Sequence, residues 1–140
     1  MKKYLSILVL LALLIGIFSA AAEDAEKETY DIDLYGLSDT IVYSQILNIL
    51  GNKEDYVGKT IRYRGWFDYQ EGSKNTYFFA QVPDLAGCCY NGLEFIWAGE
   101  HQFPDDYPGY GDDIVIAGRM EIYDEDGSVF MHVVDATVTW

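Results

Sequence analysis

The chain predicts a mainly β domain of five strands led by one helix. Three observations carry that prediction: apolar and polar residues alternate in most runs after residue 60, a single apolar stripe at helical period precedes them, and two of the runs hold a glycine in mid-strand. The first run, residues 60–68 (TIRYRGWFD), sets Ile61, Tyr63, Gly65 and Phe67 on one face and Arg62, Arg64, Trp66 and Asp68 on the other. After the polar turn EGSKN (71–75), residues 76–82 form a second strand rich in aromatics, and Pro83 and Gly87 bracket its break. Residues 92–97 (GLEFIW) form a third strand. Residues 100–112 (EHQFPDDYPGYGD) read as a long loop, with two prolines and two glycines. Residues 113–123 form a fourth strand, with Ile114, Ile116, Met120 and Ile122 on one face. DEDG (124–127) makes a tight hairpin turn into a fifth strand, residues 128–135, which residues 138–140 extend.

Gly65 and Gly118 lie inside strands, where glycine marks a bulge or a sharp bend. Five strands bent in this way fit a small Greek-key barrel of the OB type, which needs such bends to coil. The alternative is a small open sheet, or a sandwich, with one covering helix. The helix begins at Ser38 or Asp39 and carries Val42, Ile46, Ile49 and Leu50 on one stripe. Gly51-Asn52 is expected to stop it, both residues tolerating a left-handed cap.

The chain divides into three parts. Residues 1–22 read as a signal peptide: Lys2 and Lys3, an apolar run over residues 5–18, then Ala20, Ala21 and Ala22 before Glu23. That run is shorter than the ~20 residues needed to span a bilayer. Residues 23–37 form an acidic tether and lead-in, with residues 30–37 as a short strand or extended entry. Residues 38–140 form the domain. The protein is expected outside the cytoplasm: secreted, periplasmic or held at the cell surface, with no membrane span once the leader is removed.

Among 140 residues, 23 are acidic and nine basic, for a formal net charge of −14. Such a polyanion repels phosphate backbones, so nucleic acid is excluded as a partner; cations and basic partners are drawn in. No nucleophile elbow, zinc-protease helix or phosphate-binding loop occurs, and no third group orients a Cys–His pair, so no catalytic residue is assigned.

Two sets of residues could carry function. Arg62, Arg64, Trp66, Tyr77 and Trp97 could line a ligand-binding face, since guanidinium beside indole suits a flat or carbohydrate-like ligand. Against this, strands favour aromatics on any face and arginines offset the acidic excess. Cys88 and Cys89 are adjacent and are the only cysteines. They could form a vicinal disulfide, pack with one thiol in the core, or hold zinc together with His132 and Asp135. His132, on the last strand, otherwise reads as a structural histidine, and His101 as a solvated one. Asp105, Asp106, Asp112 and Asp113 do not follow the spacing of a calcium loop.

The stretches VYSQILNILGNKEDYVGKTIRYRGWF, GCCYNGLEFIWAG, GDDIVIAGRMEIYDEDG and MHVVDA resemble a family of small exported bacterial proteins of unknown function. These are in turn similar to the soluble C-terminal domain of permease-associated bacterial membrane proteins. The resemblance covers residues 38–136. It implies an OB-like barrel, and through the membrane relatives it implies a link to metal homeostasis. The sequence holds no counterpart of the relatives' membrane half, which speaks against a direct permease partner. The expected function is therefore that of an exported, non-enzymatic OB-like module that binds an undetermined ligand or protein partner. The first alternative is a zinc-binding or metal-sensing domain built on the Cys pair, and the second a thiol redox protein.

Overall fold

The computed structural model describes residues 28–140. The leader expected at residues 1–22 lies outside the described residues, as do residues 23–27 of the tether. The described elements are strand β1 (Ile32–Asp33), helix α1 (Asp39–Gly51), a 3-10 helix (Lys53–Tyr56), β2 (Thr60–Glu71), β3 (Thr76–Pro83), β4 (Tyr90–Trp97), β5 (Asp113–Glu125) and β6 (Ser128–Thr139). Six strands form one mixed sheet in the order β1-β2-β3-β4-β6-β5. Because β5 also pairs with β2, the pairings return on themselves in a ring of five strands, with β1 outside it. The β1–β2 and β4–β6 pairs are parallel and the other pairs antiparallel. The sixth strand beyond the expected five is β1, the short entry segment, which runs beside Ile61 and Arg62.

The ring depends on β2 changing partner partway along. Residues 60–66 pair with β5, and residues 66–71 pair with β3. The handover falls at Gly65–Trp66, where β2 crosses close over β3: a Cβ on Gly65 would lie 2.7 Å from the Gln81 carbonyl oxygen. The second mid-strand glycine, Gly118, sits where the β5–β6 register shifts between Ala117 and Arg119. The tightest approach is at Gly92, where a Cβ would meet the Ala80 carbonyl oxygen at 2.1 Å. Only glycine lets β3 and β4 lie this close, since no backbone shift of a few tenths of an ångström would admit a methyl group.

The strand faces fall as the alternation predicts. Ile61, Tyr63, Phe67, Leu93, Phe95, Ile114, Ile116, Met120 and Val133 are all buried. Ile122, expected on the same face, is exposed because β5 and β6 run past the core there as a two-stranded arm. Full burial of each large apolar side chain contributes roughly 1.5–3 kcal/mol. Tyr63 brings a hydroxyl into this interior and has both its needs met: it donates to the Ala80 carbonyl at 2.7 Å and accepts from the Leu93 amide at 3.0 Å. Ala80 and Leu93 face each other across β3 and β4, so the phenol stands where a ladder bond would be.

Helix α1 packs Val42, Ile46 and Ile49 into the core against β3 and β4, with Leu50 half-buried. Ser38 occupies the N-cap position but makes no side-chain cap bond. The helix does not end in a left-handed residue as expected. Asn52 follows with φ −132°, and its side-chain amide donates to the Asn48 carbonyl at 2.9 Å, satisfying a terminal acceptor in place of a glycine cap. No helix among the described residues is long and apolar enough to cross a membrane.

Candidate ligand-binding groove

β3 and β4 pair only from Phe79↔Glu94 to Pro83↔Tyr90. Beyond Glu94 they part. Residues 76–78 continue with β2, while β4 leaves along β6. A recess of about 470 Å³ opens in the parting, and the inward aromatics Phe78 and Phe95 line it. A second recess of about 400 Å³ adjoins it toward Leu50, Lys53 and Phe130. The two share Tyr77, Glu94, Tyr123 and Glu125, so they form one groove across the outer faces of β3, β4, β6 and β5.

Glu94 is the centre of its floor. Leu93 and Phe95 point inward and are buried, so the strand period turns Glu94 outward. Its cross-strand neighbours are Phe79 on one side and His132 on the other, and His132 faces Glu121 in turn. The Tyr123 hydroxyl donates to Glu94 Oε2 at 2.6 Å. The Tyr77 hydroxyl donates to Glu125 Oε1 at 2.6 Å, joining the start of β3 to the far end of the β5 arm, 48 residues on. The Asp126–Gly127 turn, both residues at positive φ, closes the β5–β6 hairpin and holds Glu125 and Tyr123 on one face.

Desolvation raises the Glu94 carboxyl, opposed by the Tyr123 hydrogen bond and assisted by the Glu125 charge. Burial and the bond to Glu94 raise the Tyr123 phenol, and the bond to Glu125 raises that of Tyr77, so both tyrosines stay protonated donors. Burial lowers the His132 imidazole more than Glu121 raises it. His132 is therefore neutral near pH 7, its ring 4.6 Å from that of Tyr123. Three carboxylates, Glu94, Asp124 and Glu125, face the groove, against one ammonium, Lys53.

Of the five residues expected on a ligand face, only Tyr77 and Trp97 line this groove. Trp97 stands at one end, stacked on His101 at 3.5 Å; that stack, and a contact from His101 Nε2 to the Ala98 carbonyl at 2.9 Å, give His101 a role beyond solvation. Arg62 binds Asp33 through two nitrogens and lies between the rings of Tyr30 and Tyr35. Arg64 pairs with Asp113 at 2.7 Å. Trp66 meets Tyr90 and Tyr110 edge to face, away from the groove. Glu94, Tyr123, Glu125, Phe79 and Phe130 escaped the sequence reading. One signal was present: GLEFIW sets a lone carboxylate in an otherwise apolar strand.

The cysteines form a second cluster. Both are exposed, so neither packs in the core. Their sulfurs lie 3.7 Å apart and are free thiols. Asp84, not His132, completes the group: Asp84, Cys88 and Cys89 bring their ligand atoms within 4.8 Å of one another. His132 faces Glu94, four residues along β4 from Tyr90, or about 13 Å at ~3.3 Å per residue. Asp135, the other expected partner, binds Arg119. Hydrogen bonding to Cys89 and the Asp84 charge raise the Cys88 thiol.

No family model and no curated protein matches the chain.

Proposed function

We propose that the protein is an exported, non-enzymatic OB-like binding module whose groove takes a ligand carrying a cationic group between aromatic surfaces. The strand order supports the OB-like reading. Numbered within the ring, the pairings run 1-2-3-5-4-1 with strands 3 and 5 parallel, as in a five-stranded Greek-key barrel. The groove lies on ring strands 2 and 3, between the hairpin of strands 1–2 and that of strands 4–5, where OB domains hold ligands. The resemblance to small exported OB-like bacterial proteins, and the leader at residues 1–22, belong to the same proposal.

The single observation that carries it is Glu94: a carboxylate set among Phe79, Tyr123 and His132, held by one phenol, with Lys53 the one Lys or Arg among the groove-lining residues. An amine or guanidinium entering there would meet a partly desolvated carboxylate and aromatic faces together. The overall acidity speeds its approach.

The test is calorimetric titration of the leaderless chain with a short peptide of alternating lysine and phenylalanine, and separately with a neutral oligosaccharide. The expected result is saturable peptide binding that weakens with salt, and weakens about tenfold or more in Glu94→Gln, from loss of a charge-assisted bond. Peptide binding indifferent to salt and to Glu94→Gln would reject the cation reading. Sugar binding lost in Tyr77→Ala would replace it with a carbohydrate site.

A further inference from the structure

We infer that Asp84, Cys88 and Cys89 form a surface site for a soft divalent cation of the zinc class. This site is separate from the groove and uses neither His132 nor Asp135.

The spacing of the ligand atoms is the first argument. Zinc–sulfur bonds of about 2.3 Å at the tetrahedral angle put two sulfurs about 3.8 Å apart, and a sulfur and a carboxylate oxygen about 3.6 Å apart. The Cys88 and Cys89 sulfurs are 3.7 Å apart, and Cys88 Sγ is 3.6 Å from Asp84 Oδ2. Two of the three separations thus match tetrahedral coordination, and all three ligand atoms lie within 4.8 Å of one another on one short turn. The fourth corner faces solvent and would take water or a donor from a partner.

The second argument is how the carboxylate is held. Asp84 Oδ1 accepts from the backbone amides of Cys88 at 3.1 Å and Cys89 at 3.4 Å. The Asp84 amide donates to the Cys89 carbonyl at 2.8 Å, closing the turn. One carboxylate oxygen is therefore spent on orientation, while the other, Oδ2, is turned toward the Cys88 thiol. Ligating carboxylates and histidines are held by outer hydrogen bonds in this way in metal sites generally. Two thiolates with one carboxylate favour zinc or cadmium over calcium and magnesium, which take oxygen ligands. On binding, each thiol gives its proton to solvent and each sulfur donates a lone pair to the metal, with no change in oxidation state.

The experiment is titration of the reduced, leaderless chain with Co²⁺, followed by competition with Zn²⁺, in a phosphine reductant that does not bind metals. The expected result is one equivalent of cobalt with thiolate-to-metal charge-transfer absorption, displaced by zinc. Affinity should fall at least about tenfold in Cys88→Ser and in Cys89→Ser, and be unchanged in His132→Ala. Asp84→Asn keeps Oδ1 as an acceptor, so the turn persists while the anionic ligand is lost; affinity should fall there as well. Circular dichroism checks that each variant stays folded. Absence of charge transfer, binding that survives Cys88→Ser with Cys89→Ser, or loss of binding in His132→Ala would each overturn the site. A parent chain whose sulfurs are joined in a bond that the reductant does not open would overturn it as well.

Discussion

The groove and the cysteine turn are built in opposite ways. The groove draws its floor and walls from β3, β4, β5 and β6, and its two tyrosine–glutamate bonds join residues 29 and 48 positions apart. The turn takes all three of its polar groups from within six consecutive residues, and its bonds span four or five positions. A site assembled from distant strands exists only while the sheet is intact. A site assembled by one hairpin connection needs only the pairs that close it, Pro83↔Tyr90 and Val82↔Asn91. The two should therefore respond differently to changes in the fold, and the differences can be ranked.

The largest effect belongs to Gly92→Ala. A methyl group set 2.1 Å from the Ala80 carbonyl oxygen forces β3 and β4 apart directly beside Leu93 and Glu94. Overpacking of this kind costs about 3 kcal/mol or more, read as a fall in the urea midpoint. Ligand binding in the groove should be lost, while cobalt uptake by the cysteine turn persists in the folded fraction. Loss of both together would show that the turn depends on the sheet after all.

Next is Tyr63→Phe. Removing the hydroxyl leaves the Ala80 carbonyl and the Leu93 amide without their shared partner in the interior, at roughly 1–3 kcal/mol. Chemical denaturation measures the loss; an unchanged midpoint would mean that β3 and β4 close up and bond directly.

Glu94→Gln follows, and its signature is pH dependence. Because burial raises the Glu94 carboxyl, the folded state holds that proton more tightly than the unfolded state does. Its contribution to stability is fullest below the ordinary glutamate value and is lost as pH rises through the raised one. Glutamine lacks that decline, so the variant should match or exceed the parent near pH 7 and lose its advantage at acid pH. His132 has the opposite sign: its lowered value makes stability fall as pH drops below the ordinary imidazole value, and His132→Gln should flatten that side of the profile.

The smallest effect is expected for Cys88→Ser with Cys89→Ser. Both residues are exposed, and stability in the absence of metal should stay within about 0.5 kcal/mol of the parent.

Much of the fold was legible because the pattern of the strands is local. Alternation marked Ile61, Tyr63 and Phe67 as interior, the helical stripe marked Val42, Ile46 and Ile49, and the two mid-strand glycines fell where β2 changes partner and where β5 shifts register. The cysteine turn was half legible. Adjacent cysteines announce themselves, but Asp84 was hidden inside a segment read only as a break, and His132 was drawn toward the pair because sequence carries no distance. The groove was nearly illegible. Tyr123 and Glu94 become partners only once β5, β6 and β4 lie side by side, and that order rests on a parallel pairing no local pattern announces. The arginines misled for a related reason: Arg62 and Arg64 find carboxylates at Asp33 and Asp113, both remote in sequence.

The phenol at Tyr63 does more than fill space. It ties the amide directly preceding Glu94 to the middle of the protein, so the centre of the groove floor is anchored to an interior side chain as well as to the strands on either side. A guest that tugs on Glu94 would be felt in the interior as a change in how fast the Leu93 amide trades its hydrogen with solvent. That single backbone position could serve as a gauge of occupancy, readable without touching the surface where the guest sits.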